Sequence, residues 1–81
     1  MTQTIQLTPE LAVEAVNEVL GTKRQKWEPV GADAPLESLQ LDSLELAELF
    51  ATLEERSGID LDPDSASTLQ TVGDLARLRA L

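Results

Sequence analysis

The segment 42–57 constrains the fold of this sequence more than any other. Asp42 suits a helix N-cap, and Glu45 three residues later completes a capping box. Leu46, Leu49, Phe50 and Leu53 then recur at i, i+3, i+4 and i+7, the core stripe of an amphipathic helix. Leu44, Ala47, Glu48, Ala51 and Glu55 fall on the opposite face, and Gly58 closes the segment. A stripe of that period has to be buried against a second layer of structure, and the rest of the chain offers mainly helices for it.

Thr8-Pro9-Glu10 reads as another helix start, with a cap, a proline at the first helical position and an acid at the positive end of the dipole. Ala12, Val16, Val19 and Leu20 gather on one side of this first helix, and Glu10, Glu14, Asn17 and Glu18 on the other. Gly21 is expected to end it as a C′ residue. Ahead of it, Ile5 and Leu7 alternate weakly, consistent with a short extended lead-in over 1–7. From 21 to 41 no period persists; Gly31, Pro29 and Pro35 interrupt the chain, and Lys23, Arg24 and Lys26 form a small basic cluster read as solvated surface, with a secondary docking role as the sharper alternative. So long a connection in a small domain is more often functional than idle. Leu36, Leu39 and Leu41 are expected to pin its second half to the core, with Trp27 as a packing anchor. Asp62-Pro63-Asp64 opens a short helix through Ser67, and Thr71-Val72-Gly73-Asp74 opens a last one carrying Val72, Leu75, Ala76 and Leu78. The predicted fold is all-α: a small four-helix bundle of three longer helices and one short, with a long loop between the first two, in a single domain over 1–81.

A chain of 81 residues has a thin core and no room for a separate catalytic domain. The formal net charge of −9, from 15 acids and 6 bases, opposes binding to nucleic acid or to anionic membrane surfaces and favours partners with basic patches. With no cysteine there is neither a disulfide framework nor a thiolate metal site. No signal-peptide core or membrane-length apolar run is evident, so a soluble, cytoplasmic monomer is expected.

Ser43 is the residue with the most chemical promise. Its hydroxyl stands at the positive end of a helix, where anions bind well. The chain has no histidine, cysteine or tyrosine to activate it near neutral pH, which argues against an autonomous hydrolase. From the cap alone, Asp42-Ser43 reads equally as plain helix punctuation. Two features move the reading towards a binding site. The outer face of the helix combines apolar Leu44, Ala47 and Ala51 with Glu45, Glu48 and Glu55, a greasy contact with a charged rim. Acidity is also concentrated there: residues 42–64 hold eight acids and one base, whereas the remainder holds seven acids and five bases. Asp60, Asp62 and Asp64 begin like a calcium loop, but Ser65 stands where glycine is required and Thr71 where glutamate is. No metal site is assigned.

Leu41-Asp42-Ser43-Leu44-Glu45, Glu48-Leu49, Leu53-Glu54-Glu55, Gly58-Ile59-Asp60-Leu61 and Leu69-Gln70-Thr71-Val72-Gly73-Asp74-Leu75 together resemble the acyl carrier proteins and related peptidyl carriers. The likeness is good over 36–78 and one of pattern only before that. It implies that a phosphopantetheinyl transferase attaches 4′-phosphopantetheine to Ser43, flanked by Asp42 and Leu44, and that the imported thiol carries acyl or aminoacyl groups as thioesters. It implies a carrier and not an enzyme. Its partner face would be Leu44, Glu45, Ala47, Glu48, Ala51 and Glu55, meeting basic patches on a ketosynthase, an acyltransferase or an adenylation enzyme. Two positions depart from the family pattern: Gln40 stands where glycine is common, and Ser57 where an aromatic often precedes the glycine that ends the helix. These lean towards polyketide or nonribosomal peptide synthesis over fatty acid synthesis. The competing reading is an unmodified acidic helical adaptor for basic partner proteins.

Overall fold

A computed structural model describes residues 7–81. The lead-in expected over 1–7 lies, save for half-buried Leu7, outside the described residues. Two α-helices dominate: α1 is Pro9–Lys23 and α2 is Ser43–Ser57. Three 3-10 segments complete the secondary structure, Leu36–Leu39, Pro63–Thr68 and Gly73–Arg77. Among the described residues there is no strand, only isolated bridges at Pro35 with Thr71 and Leu61 with Ala80. The all-α class stands. The expected count of three longer helices and one short does not, because the last two segments are 3-10 turns.

The final helix is short for a reason visible in its flanks. Asp74 accepts from the amides of Gln70 and Thr71 at 3.1 Å each, and its own amide donates to Thr71 Oγ1 at 3.2 Å, so the expected start is present. Those amide bonds hold the Asp74 carboxyl below its ordinary range. Beyond Leu78, however, the chain turns extended. Asp62 N–H donates to Arg79 C=O and Leu81 N–H to Asp60 C=O, both at 2.8 Å, which draws the tail alongside the loop after α2. Backbone bonds from Leu36 to Gln70, Val72 to Ala34 and Gly73 to Ala32 stitch the same region to the long loop.

Helix α1 begins as expected, with Thr8 Oγ1 accepting from Leu11 N–H at 3.1 Å. It does not stop at Gly21 but runs one further half-turn, with Arg24 as its C-cap. Gly21 serves a different purpose: a Cβ there would lie 2.9 Å from the Trp27 ring, so the missing side chain is the seat of the indole. Trp27 is thus the packing anchor the sequence implied.

The core joins Ala12, Ala15, Val16, Val19 and Leu20 of α1 to Leu49 and Leu53 of α2, with Leu39, Leu61, Val72, Leu75 and Leu78 from the connections. Leu36 and Leu41 pack half-buried against it, as the loop pattern suggested. The buried line of α2 is rotated from the expected stripe. It follows Glu45, Leu49, Leu53 and Ser57, each four residues after the last, while Leu46 is 40% exposed and Phe50 half-buried. Small Ser57 at the end of that line donates nothing bulky to the core; its Oγ accepts from Ile59 N–H at 3.2 Å. Leu53 is fully buried at the centre of the domain. Leu53→Ala is expected to lower stability by about 2–5 kcal/mol, a large share of what a domain of this size possesses. Urea denaturation should therefore show the variant substantially unfolded or with a sharply lowered midpoint; a midpoint near wild type would mean the cavity collapses freely.

Candidate functional site

Ser43 is the first residue of α2 and is exposed to solvent. Asp42, not Ser43, caps the helix: Asp42 Oδ1 accepts from Glu45 N–H at 2.7 Å, and Glu45 Oε1 accepts from Asp42 N–H at 3.2 Å. The serine hydroxyl is left at the amino end of a fifteen-residue helix. Around it, the first backbone N–H groups have no intrahelical acceptor. The site carries the positive partial charge of the helix end and no general base.

Glu45 departs from expectation. The resemblance puts it on the outer face for partner contact, yet it is only 7% exposed and bound within the molecule. Arg24 Nε donates to Glu45 Oε2 at 2.8 Å and Arg24 Nη2 to Glu45 Oε1 at 2.9 Å, a two-pronged pair. The hydrogen bond from Arg24 holds the Glu45 carboxyl below its ordinary value, helped by the Asp42 amide and opposed by burial. The same bond raises the Arg24 guanidinium above its own. The capping box folds the Glu45 side chain back, and Arg24 neutralises it there; this is why an acid can sit on the buried line. Arg24, half-buried, is therefore tied into the scaffold by Glu45 and is not one of a freely solvated basic cluster.

The other expected face residues are at the surface. Leu44 is 64% exposed, and Ala47, Glu48, Ala51 and Glu55 are exposed as well. Lys23 Nζ approaches Glu48 to 3.7 Å, a surface pair of small energetic weight. On α1, Glu14 and Glu18 share Arg56 of α2.

Beside Ser43 a groove of about 1050 Å³ opens between α2 and the Pro63–Thr68 segment. Leu46, Phe50, Leu61, Ala66 and Leu69 give it an apolar wall. Sequence periodicity assigned Leu46 and Phe50 to the core. Extending the line Leu53–Leu49 back by four residues lands on Glu45, and that was the available signal that Leu46 turns towards this groove instead. Among the described residues no cluster of three or more metal-ligating side chains occurs, and no helix is long and apolar enough to cross a membrane.

An accessible hydroxyl, the positive end of a helix and an adjoining apolar groove fit a phosphate ester with an extended organic arm. The comparisons agree with that chemistry. The family model described as phosphopantetheine attachment site matches residues 10–78. Acyl carrier protein from Chlamydia trachomatis serovar L2 is 45% identical over 42 residues, 52% of this chain and 54% of the relative. The acyl carrier protein of Chlamydia muridarum is 43% identical over 42 residues, with the same shares covered. That of Chlamydia caviae is 45% identical over 40 residues, 49% of this chain and 52% of the relative. The chain spans about half the length of the curated relatives it matches. No solved structure matches. The extent of the family match, on a helical fold with a serine leading its second helix, places the chain in the phosphopantetheine-attachment family of acyl carrier proteins, whose cofactor is covalently bound 4′-phosphopantetheine.

Proposed function

We propose that Ser43 Oγ is the attachment point and that the chain is a carrier domain for activated acyl or aminoacyl groups. The observation that carries this reading is the exposed serine at the head of α2, unencumbered by the cap that Asp42 supplies. In the loading step a bond forms between Ser43 Oγ and the phosphorus bearing the pantetheine of coenzyme A. The bond from that phosphorus to the bridging oxygen breaks, and adenosine 3′,5′-bisphosphate leaves. The serine proton passes to a base of the transferase, since this chain has none suited to the role. Once bound, the group supplies a terminal thiol for thioester chemistry, which a cysteine-free chain lacks. The chain's own contribution is to present the arm: the helix end favours the phosphodiester's charge by about 0.3–1 kcal/mol. Partner enzymes supply the catalysis, so the domain is not itself an enzyme.

Leu44, Ala47, Glu48, Ala51 and Glu55 form the docking face in this reading, with Asp42 and Leu44 flanking the arm; Glu45 acts from inside. Suitable partners are a phosphopantetheinyl transferase and pathway enzymes with basic patches, such as a ketosynthase, an acyltransferase or an adenylation enzyme, in the cytoplasm. The departures from the family pattern at Gln40 and Ser57 are what lean the reading towards polyketide or nonribosomal peptide synthesis over fatty acid synthesis.

Intact mass after incubation with coenzyme A and a broad-specificity phosphopantetheinyl transferase tests the assignment. One phosphopantetheine should be gained, on the peptide containing Ser43. No gain, under conditions that load a control carrier, would favour an unmodified adaptor. Docking is tested by charge reversal. Glu48→Lys should slow loading more than Glu14→Lys, because Glu48 lies exposed on the serine-bearing helix whereas Glu14 lies on α1, near Arg56 at the far end of α2. Equal slowing would mean that the acidic charge acts only as a long-range field.

A further inference from the structure

One side chain joins the end of α1 to the residues just ahead of Ser43. Besides its two bonds to Glu45, Arg24 Nη2 donates to Leu39 C=O at 2.7 Å and approaches Gln40 C=O at 3.4 Å. Gln40 itself lies at φ 51° and ψ 48°, in the left-handed region. It is the one non-glycine residue at positive φ among the described residues. A residue with a Cβ persists there only where its surroundings over-determine the backbone. Here the guanidinium supplies that constraint: it donates to the carbonyl ahead of the Gln40 Cα, that of Leu39, and reaches the one after it, that of Gln40. Asp42, two residues on, closes its capping box with the same carboxylate that Arg24 holds. The corner at Gln40, the cap at Asp42 and the start of α2 thus share a single fastening.

We propose that Arg24 is a positioning residue for modification of Ser43: by clamping the left-handed corner at Gln40 it does what a glycine's conformational freedom would otherwise do, and it fixes where the serine hydroxyl is offered to the transferase. This rests on the reading of Ser43 as the attachment point. Lysine cannot replace the planar fork that reaches the carboxylate and the carbonyls together. Glycine at position 40, in contrast, adopts the left-handed corner without strain, so it takes over the clamp's hold on the corner while leaving Glu45 without its partner.

The test is the rate of phosphopantetheine transfer from coenzyme A to the apo chain of residues 1–81, for wild type, Arg24→Ala, Arg24→Lys and the double variant Arg24→Ala/Gln40→Gly. A core variant on α1 that touches neither the Arg24 bonds nor Gln40, Val16→Ala, controls for lost stability, and all are assayed where circular dichroism shows them folded. Arg24→Ala is expected to lose about tenfold in kcat/KM, with Arg24→Lys between it and wild type and the double variant back within about twofold. Val16→Ala should load like wild type. Loading of Arg24→Ala at the wild-type rate would overturn the proposal, as would an equal loss in Val16→Ala or a failure of Gln40→Gly to restore transfer. An unmodified wild-type chain would overturn the attachment reading as well, so the two failures are distinct.

Discussion

Ser43→Ala should abolish loading and leave the fold unchanged. The two halves of that expectation have separate causes. Loading is lost because the hydroxyl oxygen is the atom that would bond to phosphorus, and alanine offers no substitute. The fold survives because Ser43 is exposed and the helix cap is supplied by Asp42. An exposed substitution that breaks no cap or buried contact changes stability by roughly 0.5 kcal/mol or less, and alanine is the better helix former. Asp42→Ala provides the contrast. It removes the acceptor for Glu45 N–H and should lower stability by about 0.5–2 kcal/mol, while the hydroxyl remains available for loading. Intact mass and urea midpoints on the two variants read the halves independently. Residual loading of Ser43→Ala would place the arm on another residue.

Glu45→Lys should destabilise the domain far more than Glu48→Lys, although the two acids lie three residues apart on one helix. Glu45 is buried, closes the capping box and accepts both prongs of Arg24. A lysine there meets the guanidinium with like charge and leaves the Asp42 amide without its partner. A loss of about 3 kcal/mol is expected, which for a domain of this size lowers the thermal midpoint by roughly 15 °C. Glu48 is exposed and its contact with Lys23 is long, so Glu48→Lys should stay within about 1 kcal/mol of wild type. Thermal melts decide the matter, and equal midpoints would mean that the Arg24–Glu45 pair contributes nothing.

The same carboxylate sets a pH dependence. Its folded-state value is depressed below the ordinary 4.5. The folded state therefore binds fewer protons than the unfolded one in that range, and stability falls as the medium is acidified. The contribution is complete above about pH 4.5 and fades as pH drops through the depressed value. The stability difference between wild type and Glu45→Gln should accordingly be largest near neutrality and narrow in acid. Asp74 is shifted in the same direction but is present in both proteins, so it cancels from the comparison.

Much of this was legible in the residues. Thr8-Pro9, Asp42 with Glu45, and Gly58 set the starts of both α-helices and the end of the second, because caps act within a few residues. Ser43 was conspicuous for the same local reason. What periodicity missed depended on partners far along the chain. Nothing near Glu45 reveals that an arginine 21 positions earlier will neutralise it, so a helix wheel sends it outward and Leu46 inward. Gly21 carries the usual mark of a helix end, but the structure uses it to admit an indole from outside the helix. The last segment has a proper cap and good helical residues; backbone pairing of its tail with the loop after α2 stops it after five residues. Each miss is a tertiary contact overriding a correct local preference.

The indole resting on Gly21 has a consequence for observation. Trp27 is the only tryptophan in the chain, and it follows Arg24 by three residues. Its intrinsic fluorescence comes from a single ring, partly shielded against α1 and partly in water. The domain therefore carries its own optical gauge of whether the start of the long loop is docked, readable in solution without any added label.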